Sequence, residues 1–362
     1  MINPLSTTGF QQTSMADVLL SMASSRVASE LKAEQTDIER RYGSKDDAIN
    51  AESDRWVTVK AQVNNAGIAV DNGFDAIKEA RNLLIGMRND LADMADDPEF
   101  HRDRFNTKLN QLNGAMDMYS KEFNLLGNVQ QTDWTPNQIE YRNDLGIGTT
   151  TLTGTYAGSD FYITDDSGGQ WVPDPDSYSL EYYPEGFPGE TDGELISLSN
   201  GVTLDSYDAD SGAITITLNL GDSEKTVTGT LHQGGNGLMG AWFYGDFLDG
   251  DGAVDEDKLN AARDAITRAE LEIDLAEGHL VGLKNQVDMD SRHADREIKA
   301  LSNSRRDNLY DQLEETTDLQ QKFQQQYQVM VTNLENMSLE QQRYLDIFAS
   351  TLANSPFLDT SI

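Results

Sequence analysis

The sequence predicts a mostly α-helical protein with a β-rich insert. Long antiparallel, coiled helices from both chain ends form a rod, and an acidic β domain occupies the middle. Two heptad stripes, an abrupt change of composition between them and an uninterrupted C-terminal run carry this reading. In the first stripe Trp56, Val63, Val70, Ile77, Leu84 and Leu91 recur every seven residues, with Val59, Ala66, Ala80, Met87 and Met94 at the four-three offset. In the second, Leu259, Ile266, Ile273, Leu280, Val287, Ala294 and Leu301 do the same, with Ala262, Ala269, Ala276 and Leu283 between them. A seam repeating every 3.5 residues lies along one side of a helix and winds against another such helix. The small residues let the two backbones approach closely.

The elements follow in order. Residues 1–12 are polar and carry Pro4 and Gly9, which suits a tail. Met15, Leu19, Met22, Leu31 and Ile38 mark an amphipathic helix that Gly43 is expected to interrupt, with Ser44 capping the next segment. The first heptad helix runs from about Asp46 to Met94, with Gly67 and Gly73 as soft spots. Asp96, Asp97 and Pro98 make a turn whose proline can open a new helix. That helix carries Phe105, Leu109, Leu112, Met116, Tyr119, Phe123 and Leu126, and Gly127 is expected to close it. From Asn128 to Gly252 the chain turns rich in Gly, Thr, Tyr, Ser and Asp. Short alternating or β-branched runs at 148–154, 177–182, 213–220 and 225–231 predict strands. The second heptad helix starts near Val254. No Pro or Gly occurs between Leu283 and Asn354, so little stops it, although Thr316 and Gln320 stand where apolar residues are due.

Charge and composition exclude several classes. The 362 residues carry a formal net charge of −35, so nucleic acid and anionic membrane surfaces are poor partners. Between positions 150 and 258 there are 21 Asp and Glu, two Lys and no Arg. Like charges at that density must face water, which places this segment outermost. The absence of cysteine removes disulfides, thiolate metal sites and thiol nucleophiles. No apolar run reaches the roughly 20 residues that span a bilayer, and no cleaved signal peptide is indicated.

Sharper sites have bland counterparts. Asp249, Asp251, Gly252, Val254 and Asp255 resemble part of a calcium loop, but Phe247 and Lys258 would hold its first and last ligand positions. The alternative is an acidic turn that caps the following helix, where Asp255, Glu256 and Asp257 suit the macrodipole. His101, His232, His279 and His293 are dispersed, and Gly234 to Gly237 lacks the Lys-Ser/Thr of a phosphate loop. No catalytic, cofactor or metal residues are assigned, and an enzyme is not expected. Trp171, Tyr178, Tyr182, Tyr183, Trp242, Phe243 and Tyr244 form either a carbohydrate-binding face or the core of a small β domain.

Several local segments carry a resemblance. Gly43-Ser44-Lys45-Asp46-Asp47-Ala48, Asn65-Ala66-Gly67-Ile68, the helix from Gly73 to Met94, and Leu125-Leu126-Gly127-Asn128 occur in that order from the N-terminus. Asn336-Met337-Ser338, Gln341, Ala353-Asn354 and Pro356 follow near the other end. In sequence and spacing, residues 14–130 and 255–362 resemble bacterial flagellin. Departures lie at the ends: only Ile2-Asn3 of the usual opening segment is present, and Phe357-Leu358 precede Asp359-Thr360-Ser361-Ile362. A divergent flagellin, a hook–filament junction protein and a relative from another filament all remain open, as does a helical adhesion protein with a carbohydrate-binding middle domain.

The resemblance implies an extracellular structural subunit of the bacterial flagellum, carried by type III export and stacked into a homopolymeric filament for motility. An export chaperone and filament cap or junction proteins are the further partners it implies. The corresponding domains are a filament-core helix (1–42), one half of the rod (43–130), the acidic outer domain (131–253), the other half of the rod (254–310) and a second filament-core helix (311–362). The expected rod-packing residues are the heptad positions from Trp56 to Leu91 and from Leu259 to Leu301. The expected self-assembly surface comprises Met15, Leu19, Met22, Leu31, Met330, Leu334, Met337, Tyr344, Leu345, Phe348 and Leu352. An intramolecular helix bundle is the competing use of the same stripes.

Overall fold

The computed structural model describes residues 15–117, 124–130, 133–146, 148–158, 160–174, 177–208, 210–234, 245–249 and 251–353. The chain is mostly helical, with long helices drawn from its N- and C-terminal parts and a β-rich middle. Helix α1 spans Met15–Asp93, α2 Pro98–Asp117 and α3 Glu256–Ala353. The chain divides into two compact units, Met1–Asp54 with Glu297–Ile362, and Arg55–Arg296.

Gly43 does not interrupt α1, and Ser44 is a helix-interior residue. A helix-interior glycine costs about 1 kcal/mol relative to alanine. Next to it, Ile38 and Tyr42 pack against Leu319 and Phe323, and this contact outweighs the glycine's cost. The turn before α2 is as expected: α2 opens on Pro98, and the Asp97 carboxylate accepts the Phe100 N–H at 3.3 Å. The expected closure of this helix at Gly127 is corrected. By Asn124 the chain has already left the helix, and the Asn124 side-chain oxygen accepts the Leu126 N–H at 2.9 Å. Tyr119 and Phe123 lie outside the described residues.

Within Arg55–Arg296, α1 and α3 pack antiparallel, with residue numbers rising along one helix as they fall along the other. Arg81 bridges Asp274 and Glu277, Arg88 bridges Glu270, Lys284 bridges Asp71, and Lys60 bridges Asp295. Between these exposed pairs the heptad residues Trp56, Val63, Val70, Ile77, Leu84 and Leu91 are buried, as are Leu259, Ile266, Ile273, Leu280 and Val287. Leu301, in the other unit, is half-buried. Gly73 is a close-approach position rather than a soft spot, while Gly67 has room for a Cβ in ordinary contact. A Cβ on Gly73 would stand 2.8 Å from Leu280 Cδ1, and one on Gly67 3.4 Å from Val287 Cγ1.

Helix α2 packs on α1 through Asp90, a buried carboxylate that takes Lys108, Arg104 (3.3 Å) and His101 (3.4 Å) as partners. At its other side α2 holds the β region. Asn106 donates to the Ser199 carbonyl at 3.2 Å and Asn110 to its hydroxyl at 2.6 Å, while Phe105 meets Phe247 edge-on.

The described strands are β1 (Asn128–Gln130), β2 (Asp133–Pro136), β3 (Gln138–Arg142), β4 (Thr149–Thr153), β5 (Phe161–Asp165), β6 (Gln170–Asp174), β7 (Ser179–Tyr183), β8 (Leu195–Ser197), β9 (Val202–Tyr207), β10 (Ala213–Asn219) and β11 (Glu224–Gln233). β5 to β11 form one antiparallel sheet in the order β8-β7-β6-β5-β11-β10-β9. Strand β10 alternates strictly, burying Ile214, Ile216 and Leu218, as a sheet with one wet face requires. The β1–β2 and β3–β4 hairpins are separate. The β3–β4 hairpin seats on the helices: Tyr141 donates to Asp290 at 2.7 Å, and Arg142 N–H to the Gln62 side chain at 3.1 Å.

Candidate assembly surface

In the unit formed by both chain ends, the early part of α1 and the late part of α3 pair around a small core of Ile38, Tyr42, Leu319 and Phe323, with Val27 and Leu31 against it. Polar contacts fix its register. Arg305 grips both oxygens of Asp46 at 2.9 and 3.3 Å. Arg41 reaches Glu315 at 2.6 Å and holds its carboxyl below the usual carboxylate range. The Arg40 hydrogen bond does the same for Asp37. These pairs are exposed, so they specify alignment more than they stabilise. Asn308, seven residues after Leu301, is buried and donates to the Tyr42 carbonyl at 3.1 Å. Asn308 is polar and so breaks the apolar pattern, and only its heptad spacing marks it in the sequence.

Beyond that core, toward the start of α1 and the end of α3, burial fails. Leu31, Met330 and Leu334 are half-buried, while Leu19, Met22, Met337, Tyr344, Leu345 and Phe348 are exposed. Tyr344 keeps 71% of its surface in solvent and Phe348 66%. The side chains of Met15 and Leu352 lie outside the described residues. A groove of about 780 Å³ runs between the helices, lined by Leu19, Ala23, Val329, Met330, Leu334 and Met337 among others. At 100° per residue, Leu319, Phe323, Met330, Leu334, Met337, Tyr344, Leu345 and Phe348 share one face of α3. The inward face of the pair thus continues as an open apolar face along the last turns of α3. Ile347 and Leu339, also exposed, extend apolar surface around the helix.

The other sequence candidates resolve into structural contacts. Asp249 accepts the backbone N–H groups of Asp251 and Ala253, both at 2.9 Å, and Gly252 takes φ +80° to close the turn. Asp255 accepts the N–H groups of Asp257 and Lys258 and caps α3, with Glu256 and Asp257 in its first turn. Asp249 and Asp255 therefore turn their carboxylates to the backbone, as in a capped turn. No group of three or more acidic or histidine side chains arranged for a metal occurs among the described residues.

Trp171 is fully buried, tilted against Tyr182 at 4.6 Å, with the Lys225 ammonium 4.7 Å from its ring centre. It belongs to the sheet's core. Tyr178 is exposed, and Trp242, Phe243 and Tyr244 lie outside the described residues. The histidines stay apart: His101 on Asp90, His232 stacked on Tyr162 at 4.4 Å, His279 on the Thr153 carbonyl at 2.8 Å, His293 against Trp56 at 5.2 Å. Of the glycine run, Gly235 to Gly237 lie outside the described residues.

No helix among the described residues is long and apolar enough to cross a membrane. No protein-family model matches the sequence, and a comparison with curated proteins finds no match either.

Proposed function

We propose that this chain is the structural subunit of an extracellular helical filament resembling the bacterial flagellar filament, assembled by lengthwise packing of its terminal helices. The observation that carries this is the open apolar face on the last turns of α3, where Met337, Tyr344, Leu345 and Phe348 lie exposed in line with the buried Leu319 and Phe323. Burying an aliphatic or aromatic side chain contributes about 1.5–3 kcal/mol, so several per subunit supply a large gross drive for association before ordering costs. Helices of neighbouring subunits extend the pairing that each chain begins with its own α1 and α3. In this arrangement the antiparallel helices form a rod, and the acidic insert faces solvent. A hook–filament junction subunit would use the same surface in the same way. Export through the flagellar apparatus, a chaperone for the terminal helices and a cap at the growing end accompany this role.

Electron microscopy of the purified chain after a salt jump tests the proposal. Filaments are expected from the native sequence, and none from the Tyr344→Glu/Phe348→Glu double variant. Particles no larger than a dimer at all concentrations, or filaments equally abundant from the variant, would overturn it.

A further inference from the structure

The chain has no cysteine, so its oxidisable sulfur is methionine sulfur, and the fold sorts the methionines sharply by exposure. Met87, Met94 and Met116 lie in the core of Arg55–Arg296 with at most 1% of their surface in solvent. In the unit formed by both chain ends the distribution reverses. Met22 on α1 is 67% exposed, Met337 on α3 is 53% exposed, and Met330 is half-buried. Met289, on α3 within Arg55–Arg296, is exposed as well. The side chains of Met1, Met15, Met118 and Met239 lie outside the described residues.

The three thioethers of the terminal unit belong to one apolar feature. Met330 and Met337 line the groove of about 780 Å³, seven residues apart on one face of α3. Leu19 and Ala23 of α1 line it too, and Met22 directly precedes Ala23. Leu334, in the same lining, shows that an aliphatic side chain serves this surface, so shape alone does not call for sulfur.

A thioether open to solvent is a nucleophile toward hydrogen peroxide. The sulfur lone pair takes one peroxide oxygen as the O–O bond breaks. Hydroxide leaves, and the proton from the transferred oxygen converts it to water. Sulfur is oxidised by two electrons to the sulfoxide, and the peroxide is reduced. A flexible apolar side chain thereby becomes a polar, chiral one. An S=O carried into an apolar contact without a donor loses its hydrogen bonds to water, so the contact weakens.

We propose that Met22, Met330 and Met337 form a peroxide-sensitive modification site that controls self-association. Oxidation of the free subunit blocks packing on this face, and packing shields the sulfurs from oxidation. This rests on the filament reading, which makes the face a contact between copies. Because Met87, Met94 and Met116 are shielded, oxidation falls on assembly and spares the fold of Arg55–Arg296. Methionine sulfoxide reductases, one for each sulfoxide epimer, reverse it.

The test treats the full-length chain with dilute hydrogen peroxide, maps sulfoxide by peptide mass, and then reads assembly by sedimentation after a salt jump. Sulfoxide should appear at Met22 and Met337 about ten times faster than at Met87 or Met94, since susceptibility follows exposure. The oxidised chain should need about ten times more protein to form filaments, a loss of roughly 1.4 kcal/mol per contact. The two reductases should restore the starting value. In preformed filaments Met22 and Met337 should stay reduced. The Met22→Leu/Met330→Leu/Met337→Leu chain should show the same assembly threshold before and after peroxide, whereas Met289→Leu should stay as sensitive as the native chain. If the triple variant does not fold, the native chain still decides: loss of assembly must track sulfoxide at Met22 and Met337, not at Met289. Three results would overturn this inference and leave the filament reading standing. They are unchanged assembly of native chain oxidised at all three sites, undiminished peroxide sensitivity of the triple variant, and oxidation of Met87 as fast as Met22. Unoxidised native chain that forms no filament would overturn the filament reading, and this regulation with it.

Discussion

Asn308 donates its side-chain amide to the Tyr42 carbonyl oxygen at 3.1 Å, from a buried heptad position on α3 to the backbone of α1. A single buried polar residue in a helix seam fixes alignment at some cost in stability. The helix pair at the chain ends has few other buried contacts, so its register depends heavily on this bond. Asn308→Ala should lower stability by about 1 kcal/mol, the net worth of a typical hydrogen bond. Asn308→Leu should hold or raise the melting temperature while allowing α3 to slip against α1. Disulfide trapping between cysteines at positions 41 and 315 distinguishes the two effects: a slipped seam lowers trapping without lowering the melting temperature.

Asp90 is buried and meets Lys108, Arg104 and His101 at the α1–α2 contact. Removing one partner of a buried charge cluster leaves the others uncompensated and costs about 3–5 kcal/mol. Asp90→Ala should therefore lower urea stability on that scale. Arg102→Ala, whose partner Asp103 is half exposed, should change it by less than about 1 kcal/mol.

Glycines on α1 divide by what surrounds them. A Cβ on Gly43 meets nothing within 4 Å, so Gly43→Ala should stabilise by about 1 kcal/mol through helix propensity alone. Gly73→Ala meets Leu280 at 2.8 Å inside a filled seam and should be neutral or destabilising, and Gly73→Leu strongly destabilising. Thermal unfolding of the three variants gives the ranking.

Burial pushes the His232 imidazole below its usual value of 6.5. The folded state then binds fewer protons than the unfolded state, so this contribution to stability is full above about pH 6.5 and is lost as pH falls through the lower folded value. Urea midpoints of the native chain should fall between pH 7 and pH 5. In His232→Phe, which keeps an aromatic ring on Tyr162, the fall over that window should be smaller. Identical pH slopes for the two proteins would contradict this.

In the proposed filament, charge repulsion between inserts would oppose assembly, and screening would relieve it as the Debye length falls from about 10 Å at 0.1 M to about 3 Å at 1 M salt. Added salt or divalent cations should raise filament yield, read by turbidity and sedimentation.

Helix seams were the most legible part of the sequence, because a seven-residue repeat fixes a buried side wherever a partner exists. The runs read as strands at 148–154, 213–220 and 225–231 fall on β4, β10 and β11 for a similar reason. Strand β6 was hidden by Pro173, which argues against a strand interior. In the structure β6 pairs with β5 only at Gln170 and Trp171, so Pro173 has a strand partner on one side alone, opposite Leu180 of β7. The gap at Thr316 and Gln320 was real, but the core sidesteps it through Leu319 and Phe323. The exposure of Tyr344 and Phe348 could not be read from spacing, since the same pattern serves a buried seam and an open face equally.

Between positions 150 and 258 the chain has two amino side chains, and the fold occupies both. Lys225 lies over the rings of Trp171 and Tyr182 and pairs with Glu194 at 2.9 Å, while Lys258 donates to the Leu248 carbonyl at 2.8 Å. A trypsin-like protease that cleaves after Lys or Arg therefore finds only these two sites along more than a hundred consecutive residues. Amine-directed labels should likewise fall mainly on the helices, because the region from 150 to 258 offers them only these two side chains.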